Sequence, residues 1–193
     1  MNASLVTAPV LEPISVLEAK EHLRVITNDE DEYISTLITA AREEVEDITR
    51  RVIMTQTWDY FLDEFPDEDY ITLPFGKLAS VTTVKWKDED AAETTLTVTT
   101  DYLVETNGDG YGRIVLPVDV YWPSDELYVS NPISIRFVAG WTTRALVPSR
   151  IKSAIKMLVS DMYESRGEDV IGTAQTVIKS LTADRLLASL RLW

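Results

Sequence analysis

NDEDEYISTLITAAREEVEDITRRV, residues 28–52, is the stretch on which the reading of this chain turns. Ile34, Ile38, Ala41, Val45, Ile48 and Val52 recur at alternating steps of four and three, with Leu37 beside them, which is the spacing that stacks side chains on one face of a helix. Asn28 or Asp29 can cap its start. Glu30, Asp31 and Glu32 suit the positive end of the helix dipole, and Arg50 and Arg51 suit the negative end. A helix of that length spans about 36 Å. A single apolar stripe so long needs long partners, from this chain or from other copies of it.

The flanking segments offer them. Ser15 followed by Glu18 is a capping box, and Val16, Ala19 and Leu23 mark one face of a short helix ending near Val25. Pro148 suits a first helical turn, and Ile151, Ile155, Leu158, Val159 and Met162 form a second stripe that runs toward Gly167. This helix is the natural partner of the long one. Between them the texture changes to short alternating runs rich in aromatic and β-branched residues: 55–62, 70–73, 80–87, 94–99, 102–106, 112–116 and 133–139. Turn chemistry separates them, and six or seven such strands predict a small antiparallel sandwich or barrel. Residues 117–132, with three prolines, read as a long loop.

The fold class expected is therefore α+β: a helical hairpin or bundle with an inserted small antiparallel β module and a C-terminal helix. The domain reading is an extended arm over 1–13, helical parts over 14–53 and 142–166, the β module over 54–141, and a linker with a docking helix over 167–193. In that last segment Leu186, Leu187, Leu190 and Trp193 share one side of a helix over 180–193. A helix this short is marginal alone and must dock, either on its own core or on a partner.

Composition bounds the function. The 193 residues are 45% hydrophobic, with mean hydropathy near zero. No apolar run is long enough to span a bilayer and no basic start precedes one, so neither a membrane span nor a secretory signal is expected. The absence of cysteine excludes disulfides and thiolate chemistry. Thirty-two acidic against eighteen basic residues give a net charge of −14, without a Lys/Arg stripe, so gripping nucleic acid is disfavoured. A surface that repels DNA would, however, suit a wall past which DNA slides.

No catalytic, cofactor-binding or metal-ligating set emerges. His22 is the only histidine and has no nucleophile context. The carboxylate pairs Asp29/Glu32 and Glu43/Glu46, which an acid-pair hydrolase would need, fall where helix capping and solvation explain them. The run Glu105 to Gly110 resembles the opening of a calcium loop, but Gly112 and Leu116 occupy positions where that loop needs an apolar residue and a bidentate acid. A glycine-rich hairpin turn is the better reading.

In order along the chain, PISVLEAKEHLRV, AAREEVEDITRRVIMTQTW, LPFGKLASVTTV, GRIVLP, ISIRFVAGW and VPSRIKSAIKMLVSDMYESR resemble the head-tail connector (adaptor) proteins of tailed bacteriophages and phage-derived particles. The resemblance implies a non-enzymatic virion protein of the neck, assembled in the host cytoplasm into a ring, commonly of twelve copies. Such a ring sits beneath the portal protein, receives a stopper or tail protein on its other face, and continues a channel through which DNA passes without specific binding. It implies that helices pack between subunits, which would put Ile34, Ile38, Ala41, Val45, Ile48, Ile155, Leu158 and Met162 at that joint. It would also put Leu186, Leu187, Leu190 and Trp193 on the portal. Another neck or tail-completion component built from the same parts is the alternative.

Overall fold

The computed structural model describes residues 2–165 and 181–192. Two units divide the chain: one of residues 1–10 and 51–142, the other of residues 11–50 and 143–191. The elements are β1 (Ala3–Thr7), α1 (Val16–Leu23), α2 (Asp31–Thr49), β2 (Gln56–Leu62), β3 (Tyr70–Gly76), β4 (Leu78–Lys87), β5 (Glu93–Leu96), β6 (Leu103–Glu105), β7 (Tyr111–Val115), β8 (Ile133–Ala139), a 3-10 turn (Arg144–Leu146), α3 (Ser149–Glu164) and α4 (Leu181–Ala188). The fold is mixed α+β, with two antiparallel sheets.

In the helical unit, α2 packs on α3, α3 on α4, and α1 on both α2 and α3. The capping box forms: the Glu18 amide donates to Ser15 Oγ at 3.1 Å, and the Ser15 amide donates to Glu18 Oε2 at 2.8 Å. α2 is shorter than its sequence pattern, 19 residues or about 28 Å. At its start Glu30 is the N-cap residue, with no side-chain cap hydrogen bond. Asn28 instead accepts from the buried Lys20 Nζ at 2.6 Å, and Asp31 accepts from the same nitrogen at 2.6 Å, so a desolvated cation takes one of the two groups expected to cap the helix. At its end Arg50 turns left-handed, φ 56°, and Arg51 lies beyond the helix. α1 stops the same way at Arg24, φ 60°.

In the β unit the five-stranded sheet runs β1-β2-β8-β4-β5 and the three-stranded sheet β3-β7-β6. Both are open, so the barrel alternative does not occur among the described residues. Central β8 buries Ile133, Ile135, Phe137 and Ala139 and turns Ser134, Arg136 and Val138 the other way, the period of two a half-covered strand requires. It meets β2 in unbroken register from Gln56↔Ala139 to Leu62↔Ile133. The inward side chains of β8 and β4 share one core with Ile71 and Leu73 of β3 and Ile114 of β7. On the other face Arg136 grips Asp59, its cross-strand neighbour, through two hydrogen bonds of 2.7 Å.

One segment gains pairing that its sequence reading did not include. Residues 3–7 of the extended arm form β1, an edge strand paired antiparallel with β2, and Phe61 N–H donates to Asn2 O at 2.8 Å.

Candidate functional site

A protein expected to work through contacts is read from which of its apolar surfaces remain uncovered. In the helical unit the α2 stripe is largely sealed inside the chain. Ile34, Ile38, Ala41 and Val45 are fully buried, as are Ile151, Ile155 and Val159 of α3. Ile34, Ile38, Ala41, Val45 and Ile155, expected at a subunit joint, thus lie in the chain's own core. α1, α3 and α4 supply the cover that other copies were expected to supply, and each such isoleucine or valine contributes about 1.5–3 kcal/mol to its own fold. Ile48, Leu158 and Met162 stay half-buried. The uncovered apolar side chains of this unit lie elsewhere, with Leu17 on α1, Ile26 in the α1–α2 connection and Leu146 in the 3-10 turn all exposed.

The terminal helix is divided in the same way. Ala183 and Leu187 are buried, while Leu186 and Leu190 are half-buried. Arg150 Nη1 donates to Ser189 Oγ at 3.0 Å and ties the end of α4 to α3. Leu187 therefore packs inside its own chain. Trp193 and the linker reading over 167–179 lie outside the described residues.

In the β unit Leu5, Val6 and Val10 are exposed on and after β1, and a second group of exposed apolar residues, Val118, Tyr121 and Val129, lies in the connections at the other end. Residues 63–69, 88–92 and 117–132 connect the strands there, at the level of Leu62, Lys87 and Ile133. The 16-residue loop, irregular in sequence, is fastened at two points. Trp122 stacks on Phe65 at 5.2 Å and donates through Nε1 to Glu68 O at 2.9 Å. Farther on, Tyr128 N–H donates to Lys87 O at 3.1 Å, beside a bridge between Leu127 and Asp88. Phe65, Trp122 and Leu127 pack against the core, which leaves Val118, Tyr121 and Val129 pointing outward. Sequence periodicity missed this surface because a fastened loop has none. The Trp122-Pro123 dipeptide amid isolated apolar residues was the signal available.

The positions weighed for chemistry are dispersed. His22 is exposed on α1. Glu43 and Glu46 both face the Arg42 guanidinium, at 3.3 and 2.6 Å, and Asp29 and Glu32 are exposed. In the turn between β6 and β7, Asn107 and Gly108 adopt positive φ, and Asp109 pairs with Lys77 at 3.0 Å. Among the described residues no group of three or more histidine, aspartate or glutamate side chains is placed to hold a metal ion. No described helix is long and apolar enough to cross a membrane.

Residues 13–108 match the family described as phage gp6-like head-tail connector protein. This segment, 96 of the 193 residues, is what the chain shares with the head-tail connector family. The matched span takes in α1, α2 and the strands from β2 to β6. Three solved chains share the whole fold. "Neck of empty GTA particle computed with C6 symmetry" matches at TM-score 0.81 and 22% identity, over 100% of this chain and 96% of that one. "Virion of native gene transfer agent (GTA) particle" matches at TM-score 0.79 and 22% identity, with the same coverage. "Neck of native GTA particle computed with C12 symmetry" matches at TM-score 0.77 and 21% identity, again over 100% and 96%. No curated protein matches this chain.

Proposed function

We propose that this chain is a non-enzymatic structural subunit of a particle neck. Copies form a ring, of twelve in this reading, beneath the portal, join the DNA-filled head to the tail, and continue the channel through which DNA moves without specific binding. The observation that carries the reading is the connector-family match over residues 13–108. The likeness in fold to neck chains along the whole length supports it, and the C6 and C12 symmetry of those necks suits a ring. A net charge of −14 suits a wall that a polyanion must pass without sticking.

In this reading α2 and α3 form a helical hairpin that carries the inserted β unit and packs against neighbouring copies. The residues assigned to that joint are the half-buried Ile48, Leu158 and Met162 with the exposed Leu17, Ile26 and Leu146. The portal joint is assigned to Leu186, Leu190 and Trp193, with Leu187 fastening α4 to its own subunit. Each such contact is weak, and a ring multiplies weak contacts into a firm one. A stopper or tail protein occupies the other side, and assembly takes place in the host cytoplasm.

Cryo-electron microscopy of the purified neck tests this. The expected result is a closed ring of this chain in contact with the portal. A chain found only at another place in the particle, or one strictly monomeric and indifferent to portal at high concentration, overturns it.

A further inference from the structure

The acidity of this chain is unevenly placed. Residues 1–10 and 51–142 hold sixteen acidic and six basic side chains, a net −10 of the total −14. Within that unit the segments 63–69, 88–92 and 117–132 carry eleven carboxylates and no lysine or arginine. None of the eleven joins an ion pair among the described residues, whereas Lys77, Lys85, Arg113 and Arg136 elsewhere in the unit are all paired.

The same three segments present the apolar tips, with Val118 90%, Tyr121 81% and Val129 94% exposed. Water-facing side chains of this size, set in a loop held by Trp122 and Leu127, form a surface whose shape is fixed before any partner arrives, which lowers the ordering cost of binding.

We propose that this loop end, tipped by Val118, Tyr121 and Val129 and fringed by carboxylates, docks another protein of the particle through a segment bearing apolar side chains flanked by lysine or arginine. Charge selects the partner. Eleven carboxylates repel a nucleic-acid backbone, and the same surface of a second copy brings like charge against like. The basic side chains a second copy could offer from its β unit are mostly engaged already. Apolar anchors supply the hold, and the acidic fringe steers a basic segment onto them and rejects others. The inference rests on the connector reading, since it draws the partner from the same particle.

The chain has no cysteine, so one introduced thiol can be addressed alone. Particles assembled with Val129→Cys carrying a benzophenone maleimide are illuminated and the joined peptides identified by mass spectrometry, with Thr82→Cys, exposed on β4, as the comparison position. The expected product joins Val129→Cys to a different protein, at a segment with net positive charge, in at least tenfold higher yield than Thr82→Cys. Adding Tyr121→Asp and Val118→Asp, with tryptophan fluorescence unchanged, lowers that yield at least tenfold. Products joined to DNA or to another copy of this chain, equal yields from both positions, or no product overturn the docking inference. If the ring is nevertheless seen at the neck, the connector reading stands while this inference fails.

Discussion

Arg42 and Glu12, thirty positions apart in sequence, meet in an ion pair with Nε 2.9 Å from Oε2, and the arginine is 4% exposed. The same guanidinium reaches Glu46 at 2.6 Å, and Glu12 O accepts from Arg144 Nε at 2.7 Å. Burial works against the arginine's charge, but Glu46 and Glu12 outweigh it and hold its pKa above the ordinary range. The segment entering α1 is thus fixed to the middle of α2 by a cation that cannot be left without its partners.

Arg42→Met strands carboxylates around an apolar stem and is expected to cost about 3 kcal/mol, whereas Glu12→Gln keeps a hydrogen bond and costs about 1 kcal/mol. Urea unfolding followed by circular dichroism at 222 nm measures both. The double variant should cost less than the two single changes together, because the pair is coupled.

The capping box makes a pH prediction. The Ser15 backbone hydrogen bond is the largest influence on Glu18, outweighs partial burial, and lowers its pKa from 4.5. A carboxylate whose folded pKa is depressed contributes stability that is fully present above the unfolded value and lost as pH falls through the folded one. Acid titration of the intact chain should therefore weaken α1 only below about pH 4.5, and Glu18→Gln should flatten that slope. Ser15→Ala is expected to cost about 1 kcal/mol at neutral pH.

Gly140 sits at φ +103°, where a Cβ would lie 2.4 Å from Met54 O and 2.5 Å from its carbonyl carbon. Both the backbone conformation and the neighbouring main chain oppose a side chain, so Gly140→Ala should cost about 3 kcal/mol. Gly108, at φ +61° with open space around it, should lose only about 1 kcal/mol on the same change. Four of the five tryptophans lie in the β unit, so fluorescence-detected unfolding reports this contrast.

On α4, neighbouring leucines should separate two roles. Leu187→Ala empties a fully buried site and is expected to cost about 3 kcal/mol locally, seen as faster amide exchange across Leu181–Ala188. Leu190→Asp changes a half-buried side chain, should shift stability by less than about 1 kcal/mol, and should weaken portal attachment at least tenfold in a pull-down with purified portal. Attachment unchanged by Leu190→Asp and Leu186→Asp together would remove α4 from the joint.

By itself, the sequence determined what depends on neighbours within a few residues. The stripes of α2 and α3, the capping box at Ser15 and Glu18, and the alternation from β2 to β8 follow from side-chain spacing and backbone preference, and they appear in the structure within a few residues of their expected bounds. Helix ends were less legible, because Arg24 and Arg50 turn left-handed where glycine is the usual signal. Only the tertiary structure decided what covers what. Burial and strand pairing join residues far apart in the chain, as Asp59 with Arg136 or Trp122 with Phe65, and no local period encodes them. For that reason Ile34 to Val45 became a subunit's own core, residues 3–7 became a strand, and an irregular loop became the most exposed apolar surface of the β unit.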